Sequence, residues 1–301
     1  MVAPSGYVAD PRIVERGLAC LRAQGFQPGC IEAAQRPPYL RFAGTDEARA
    51  ADINRLADAR VPLPTIALAL RGGYGAQRLL GQLDYDGLRE RLAGARPIFT
   101  GHSDFTAIQL ALLARSGVSS FAGPMLSSDF GAPQPNAFTM ARFHEAVQGG
   151  TLRFDGLHPG HIENFDNVSG VLWGGNLAVL TGLIGTPYMP AIDGGILFVE
   201  DVNEHPFRIE RMLYQLQLSG ILGRQRALIF GEFSQYRLSD YDNGFSFDTM
   251  LAHWRATLNL PVLTGLRFGH TPELLTLPVG LPAELRGRKA DCVLSVTLPH
   301  C

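Results

Sequence analysis

The chain has 301 residues, 46% of them apolar, and a formal net charge of -2, enough for a sizeable core and most simply two domains. With no basic run and a near-neutral charge it offers no nucleic-acid surface and little attraction to an anionic membrane. Its longest apolar runs, such as 177–184, are far shorter than a membrane span, and Met1-Val2-Ala3-Pro4 carries no export signal, so a cytoplasmic protein is expected.

The first elements alternate between helix and strand. Met1 to Tyr7 has the form of a strand end running into a turn, and 11–24 has helical spacing with Ile13, Leu18 and Leu21 as apolar positions. Of the four cysteines, Cys20, Cys30, Cys292 and Cys301, none forms a C-x-x-C pair, which suits reduced structural thiols; a Cys20–Cys30 bridge is conceivable. A second helix is expected over 47–59, and 65–70, apolar after Thr65, suits a strand covered on both faces.

That strand runs into Arg71-Gly72-Gly73-Tyr74-Gly75. Glycines here let the backbone turn tightly and approach a ligand. The third glycine of a dinucleotide fingerprint is missing, as is the Gly-Lys-Ser/Thr of a phosphate loop. The stretch is either a plain β–α turn or a loop offering N–H groups to an oxyanion, with Arg71 free to receive a carboxylate.

One helix later, Ile98-Phe99-Thr100 reads as a buried strand, Gly101-His102-Ser103 as a sharp turn, and the chain from Asp104 onward as a helix. Ser103 at a strand-to-helix turn is either an ordinary N-cap or a nucleophile exposed at the carboxyl edge of a sheet. The usual elbow is G-x-S-x-G, and Phe105 occupies its last place. A strand near 120–125 and a helix at 137–147 complete a β-α-β-α alternation, which implies a mostly parallel sheet. The segment 151–167 shows no clear period and reads as a crossing between domains; His158 and His161 within it form no convincing metal site.

The second half reads as strands at 169–176, 195–199, 227–230 and 261–264, helices at 177–184, 207–218 and 247–258, and a closing hairpin from 274–281 and 292–298. Ser103, Glu200 and His270 each lie at or just after a strand end, in the order serine, acid, histidine found in α/β hydrolases. Serine needs an imidazole to take its proton, and the imidazole needs a carboxylate to orient it. Glu200 paired with Arg208 and His270 as a capped loop residue are the non-catalytic alternatives.

The set Val2-Ala3-Pro4-Ser5-Gly6, Arg71-Gly72-Gly73-Tyr74-Gly75, Gly101-His102-Ser103-Asp104-Phe105-Thr106, Gly174-Gly175-Asn176-Leu177, Glu200-Asp201-Val202-Asn203-Glu204-His205-Pro206 and Gly269-His270 resembles the LD-carboxypeptidases, serine peptidase family S66. The resemblance runs from Val2 to about Gly280, although the first strand, of two or three residues, is shorter than the family's. It implies an α/β fold: a Rossmann-like, mostly parallel N-terminal domain (1–148) carrying the nucleophile, a linker (149–167), and a strand-rich α/β C-terminal domain (168–301), with the site in the cleft between them. It implies Ser103 as nucleophile, Glu200 and His270 as its relay, and the Gly73 and Asp104 backbone N–H groups as oxyanion hole. Arg71, Asn176, Trp173 and Glu204 would contact substrate. The expected reaction removes the terminal D-alanine from a murein tetrapeptide, free or attached to sugar, in a cytoplasmic homodimer without metal or cofactor. Two alternatives stand beside it: a microcin-immunity-type hydrolase of acyl-sulfamoyl adenylates, and a non-catalytic muropeptide binder.

Overall fold

A computed structural model describes residues 1–160, 164–288 and 291–299. In chain order the elements are α1 (Pro11–Ala23), α2 (Glu32–Gln35), α3 (Asp46–Asn54), β1 (Ala67–Leu68), α4 (Tyr85–Leu92), β2 (Phe99–Gly101), α5 (Thr106–Ser116), β3 (Ser120–Ala122), α6 (Ala137–Gln148), β4 (Thr151–Leu157), β5 (Asn164–Asn176), α7 (Leu177–Thr181), β6 (Ile196–Val202), α8 (Pro206–Leu218), β7 (Ala227–Ser234), α9 (Phe247–Thr257), β8 (Val262–Leu263), β9 (Leu277–Val279), β10 (Leu281–Arg288) and β11 (Asp291–Thr297).

The strands form two sheets. A four-stranded sheet has the order β1-β2-β3-β9, in which β1, β2 and β3 are parallel and β9 runs against them. Val2 adds a single parallel bridge to Ala69, all that forms of the first strand. The second sheet has seven strands, β4-β11-β10-β5-β6-β7-β8. Its β5-β6-β7-β8 portion is parallel and the remainder antiparallel. The mixed α/β architecture expected from the alternation is therefore present. Ile196 to Val199 of β6 are all buried, as a parallel strand covered on both faces requires.

Local chemistry sets the helix ends. Asp10 caps α1 through the Arg12 N–H, with Pro11 at the first position, where its missing N–H costs nothing. Gly117 ends α5 in the left-handed region. Ser246 and Thr249 form a reciprocal capping box at the start of α9.

Two expectations need correction. The segment taken as an unpatterned crossing holds β4, whose Leu152, Phe154 and Leu157 are buried in the pattern eBeBeeB. Its two-residue period breaks at Asp155-Gly156, where the register against β11 shifts and Gly156 adopts φ +75, so a bulge hides the strand from pattern reading. The tail is not one hairpin of 274–281 with 292–298. β10 and β11 pair with each other, while β9 crosses to the edge of the four-stranded sheet. Cys20 and Cys30 are free thiols; Cys301 and His161 lie outside the described residues. Among the described residues no helix is long and apolar enough to cross a membrane.

Candidate active site

Ser103 lies two residues beyond the end of β2 and has φ +61. A non-glycine residue held there stores roughly 1–3 kcal/mol of backbone strain, which must be met by the surrounding packing. The neighbouring glycines show how. A Cβ on Gly101 would lie 2.7 Å from the Phe105 ring and 2.8 Å from the Ala69 Cβ. Phe105, which stands where the common elbow has glycine, folds back across Gly101 and is fully buried. A Cβ on Gly72 would lie 2.9 Å from the Ser103 Cβ and 3.0 Å from its Oγ, so the glycine loop presses directly on the serine.

The loop also presents its amides. The Gly6 N–H donates to the Gly72 carbonyl at 3.3 Å. In a trans peptide the Gly73 N–H points the opposite way from that carbonyl. The Asp104 N–H lies in the first turn of the helical segment that begins at Ser103, where N–H groups have no partner within the helix. The Gly72 Cβ direction passes 3.6 Å from it.

The Asp104 side chain ties these pieces together. Its Oδ2 accepts from the Ser5 hydroxyl at 2.6 Å and from the Ala76 N–H at 2.9 Å. Burial pushes its carboxyl above the usual range, against the pull of those two donors. Arg49, also fully buried, donates to the Pro4 and Gly75 carbonyls, pairs with Asp46, and stacks on Phe42. Ser5 and Arg49 were not singled out in the sequence. The signal for Ser5 was its place in the Ala-Pro-Ser-Gly turn; Arg49 carried none, because it sits mid-helix in α3.

The second cluster belongs to the seven-stranded sheet. Glu200, fully buried near the end of β6, accepts from His270 Nδ1 at 2.8 Å. Asn176, the last residue of β5, donates from Nδ2 to Glu200 Oε1 at 3.1 Å and to Asp201 Oδ1 at 2.9 Å. Asp201 also accepts from the Ala178 and Val202 N–H groups. Burial, then the Glu200 charge, pushes the Asp201 carboxyl up to about 6. Burial lowers the His270 pKa, but the hydrogen bond and charge of Glu200, with Asp201 and Asp129, outweigh it and leave the imidazole above its ordinary value. With Nδ1 on Glu200, Nε2 is the nitrogen left to act as a base.

The two clusters meet through the residues flanking Ser103. The His102 and His270 rings stand edge to face at 5.4 Å, and the Asn176 N–H donates to Thr106 Oγ1 at 3.1 Å. Ser103 and His270 are not hydrogen-bonded to each other, a distance that such pairs commonly close only with substrate bound. A cavity of about 400 Å³ beside His270 is lined from both halves of the chain, by His102, Asp129, Asn136, Thr139 and His270 among others.

The other expected residues are placed as follows. Arg71 is half-buried, donates to the Tyr7 carbonyl at 2.9 Å, and has its Nη2 3.7 Å from the Gly73 Cβ direction. Glu204 is half-buried and lies 3.7 Å from Arg208. Asn176 spends its amide on Glu200 and Asp201 and its Oδ1 on the cap of α7, so its side chain holds the site together instead of facing a ligand. Trp173 is 0% exposed, with its indole N–H on Gln225 Oε1, and presents no surface to substrate. Among the described residues no group of three or more His, Cys, Asp or Glu could hold a metal.

Residues 1–123 match the profile of the LD-carboxypeptidase N-terminal domain, and 169–285 match that of the C-terminal domain. A crystal structure of muramoyltetrapeptide carboxypeptidase from Oxalobacter formigenes superposes with a TM-score of 0.87 at 43% identity, covering 98% of each chain. The murein tetrapeptide carboxypeptidase of Pseudomonas aeruginosa is 31% identical over 96% of this chain and 93% of its own. The microcin C7 self-immunity protein of Escherichia coli is 28% identical over 93% of this chain and 86% of its own.

Proposed function

This chain belongs to the LD-carboxypeptidase family of serine peptidases, and on that premise we propose that it removes the terminal D-alanine from a murein tetrapeptide, free or attached to sugar, in the cytoplasm. Ser103 Oγ attacks the carbonyl that joins an L-centre to D-alanine. His270 Nε2 takes the hydroxyl proton and delivers it to the departing amine. Glu200 fixes the imidazole tautomer and offsets its charge. The Gly73 and Asp104 N–H groups receive the oxyanion, each typically worth ~3 kcal/mol in such sites. Water, activated by the same imidazole, then releases the acyl group from Ser103. Arg71 takes the carboxylate of D-alanine, and Glu204 contacts the peptide farther out. Asn176 supports Glu200, and Trp173 supports the sheet.

The observation that carries this reading is the hydrogen bond of His270 to the fully buried Glu200, together with a serine held at φ +61. The likeness to the microcin self-immunity protein favours a second reading, hydrolysis of an acyl-sulfamoyl adenylate. Such a ligand needs a platform for its base, and the lining of the cavity beside His270 contains no Phe, Tyr or Trp.

The test is mass spectrometry of a murein tetrapeptide incubated with native protein and with Ser103→Ala, beside a matched peptide ending in L-alanine. Loss of one alanine from the D-ended peptide, with native protein alone, is expected. Turnover of an aminoacyl-sulfamoyl adenosine but of neither peptide would put the second reading in its place. Binding without turnover in the native protein would make the chain a muropeptide binder.

A further inference from the structure

The two amides that would receive the oxyanion belong to different segments, Gly73 to the loop after β1 and Asp104 to the turn after β2. The ladder between these strands closes with the Ala69 N–H on the Thr100 carbonyl at 2.9 Å, well before either amide. Strand pairing therefore does not fix one donor relative to the other. The loop cannot fix itself either. Gly73 at φ +108 and Gly75 at φ +131 bracket an exposed Tyr74, and glycine in that region of backbone space adds no stiffness.

The loop takes its geometry from the groups that pin its two ends. On one side the Gly72 carbonyl accepts from the Gly6 N–H. On the other, the Gly75 carbonyl accepts from Arg49 at 3.1 Å, and the Ala76 N–H donates to Asp104 Oδ2 at 2.9 Å. Asp104 thus enters twice. Its backbone carries one donor, and its carboxylate grips the loop that carries the other. The same Oδ2 accepts from the Ser5 hydroxyl at 2.6 Å. Ser5 is fully buried and is itself held: its carbonyl accepts from the Ala43 N–H at 3.1 Å, and the preceding Pro4 carbonyl accepts from Arg49. Burial favours the neutral form of Asp104, and the Ser5 and Ala76 donors oppose it. Without the hydroxyl the balance moves toward a protonated carboxyl, a weaker acceptor for the Ala76 N–H.

We infer that Ser5 and the Asp104 carboxylate are positioning residues for the oxyanion hole, a clamp that joins the glycine loop to the nucleophile turn so that the Gly73 and Asp104 N–H groups converge on one point. This rests on the reading of Ser103 as nucleophile and adds to it two side-chain groups that touch no substrate. Displacing a donor by about 1 Å is enough to cost on the order of 10²-fold in rate. The oxyanion exists only once Ser103 has attacked, so a loosened clamp weakens the transition state and spares substrate binding.

The experiment compares native protein with Ser5→Ala, Asp104→Asn and the double variant, below the melting midpoint of each. Every substitution at Asp104 keeps its N–H, so any loss there reports on the side chain. Two reactions are followed. One is turnover of a murein tetrapeptide ending in D-alanine. The other is phosphonylation of Ser103 by a small alkyl fluorophosphonate, read by intact mass: the Oγ–P bond forms, fluoride leaves, the hydroxyl proton passes to His270, and the phosphoryl oxygen takes the developing charge. Each single variant should lower kcat and the phosphonylation rate by on the order of 10–10²-fold, with KM within about twofold of native. The double variant should lose no more than the worse single one, because Ser5 acts through Asp104. Native kcat in Ser5→Ala, losses that multiply in the double variant, or a KM that rises in step with the fall in kcat would each overturn the clamp. Phosphonylation of native protein without turnover of the tetrapeptide would overturn the carboxypeptidase reading alone, and the labelling rates of the variants would then decide the clamp. Absence of both reactions in native protein would overturn both.

Discussion

The nucleophile side and the base side of this site are built in different materials. On the four-stranded sheet, Ser103 is held by backbone: its own positive φ, the close approach of Gly72, the folding of Phe105 over Gly101, and amides aimed by the Gly6–Gly72 hydrogen bond. Side chains enter only as ties, through Asp104, Ser5 and Arg49. On the seven-stranded sheet the reverse holds. Glu200, His270, Asn176 and Asp201 form a chain of side-chain hydrogen bonds, buried except at His270, and the strands serve mainly to bring their ends together. A group that must meet a developing oxyanion is best fixed by backbone, which does not reorganise. A group that must gain and lose a proton needs a partner whose charge can stabilise both forms.

The contrast predicts different ways of failing. The largest effect is expected on the base side. Glu200→Gln would set an amide against the His270 Nδ1–H and the Asn176 amide, favouring the wrong tautomer, and kcat should fall by ~10⁴-fold with the fold retained. Native kcat/KM should fall toward acid with a midpoint above 6.5, because the neutral imidazole is the base and its folded pKa is raised. A pH–rate profile with its acid limb below 6.5 would contradict that assignment.

On the nucleophile side a single methyl group should suffice. Gly72 has no positive φ, so its backbone accepts alanine without strain, but the added Cβ would meet Ser103 at 2.9 Å. Gly72→Ala should therefore lower kcat by ~10²–10³-fold, through displacement of the serine or of an oxyanion donor, and the overpacking should lower the thermal midpoint as well, by about 1–3 kcal/mol of stability. Steady-state kinetics beside a melting curve separates the two readouts. The smallest effect is expected beneath the site. Trp173→Phe removes one buried hydrogen bond and leaves Gln225 Oε1 unpaired, costing about 1–3 kcal/mol of stability. KM and kcat should stay near native; a raised KM would mean that the indole reaches substrate after all.

Much of the fold could be read directly. The helix starts at Pro11, Pro206 and Phe247 carry local signals, and the apolar run at 196–199 is a strand wherever it is placed. The bulged strand β4 and the crossing of β9 could not be read, because a bulge interrupts the period and strand pairing is a long-range choice. The same division runs through the site. Sequence alone determined which residues could carry the chemistry, since serine, acid and histidine at strand ends and glycines in a turn are matters of residue type and local order. Only the tertiary structure decided which of their neighbours face a ligand. Asn176 and Trp173 look like contacts in the sequence but are consumed within the protein. A polar side chain's role depends on whether folding leaves it a partner, and the partners of these two lie 25 and 52 residues away along the chain.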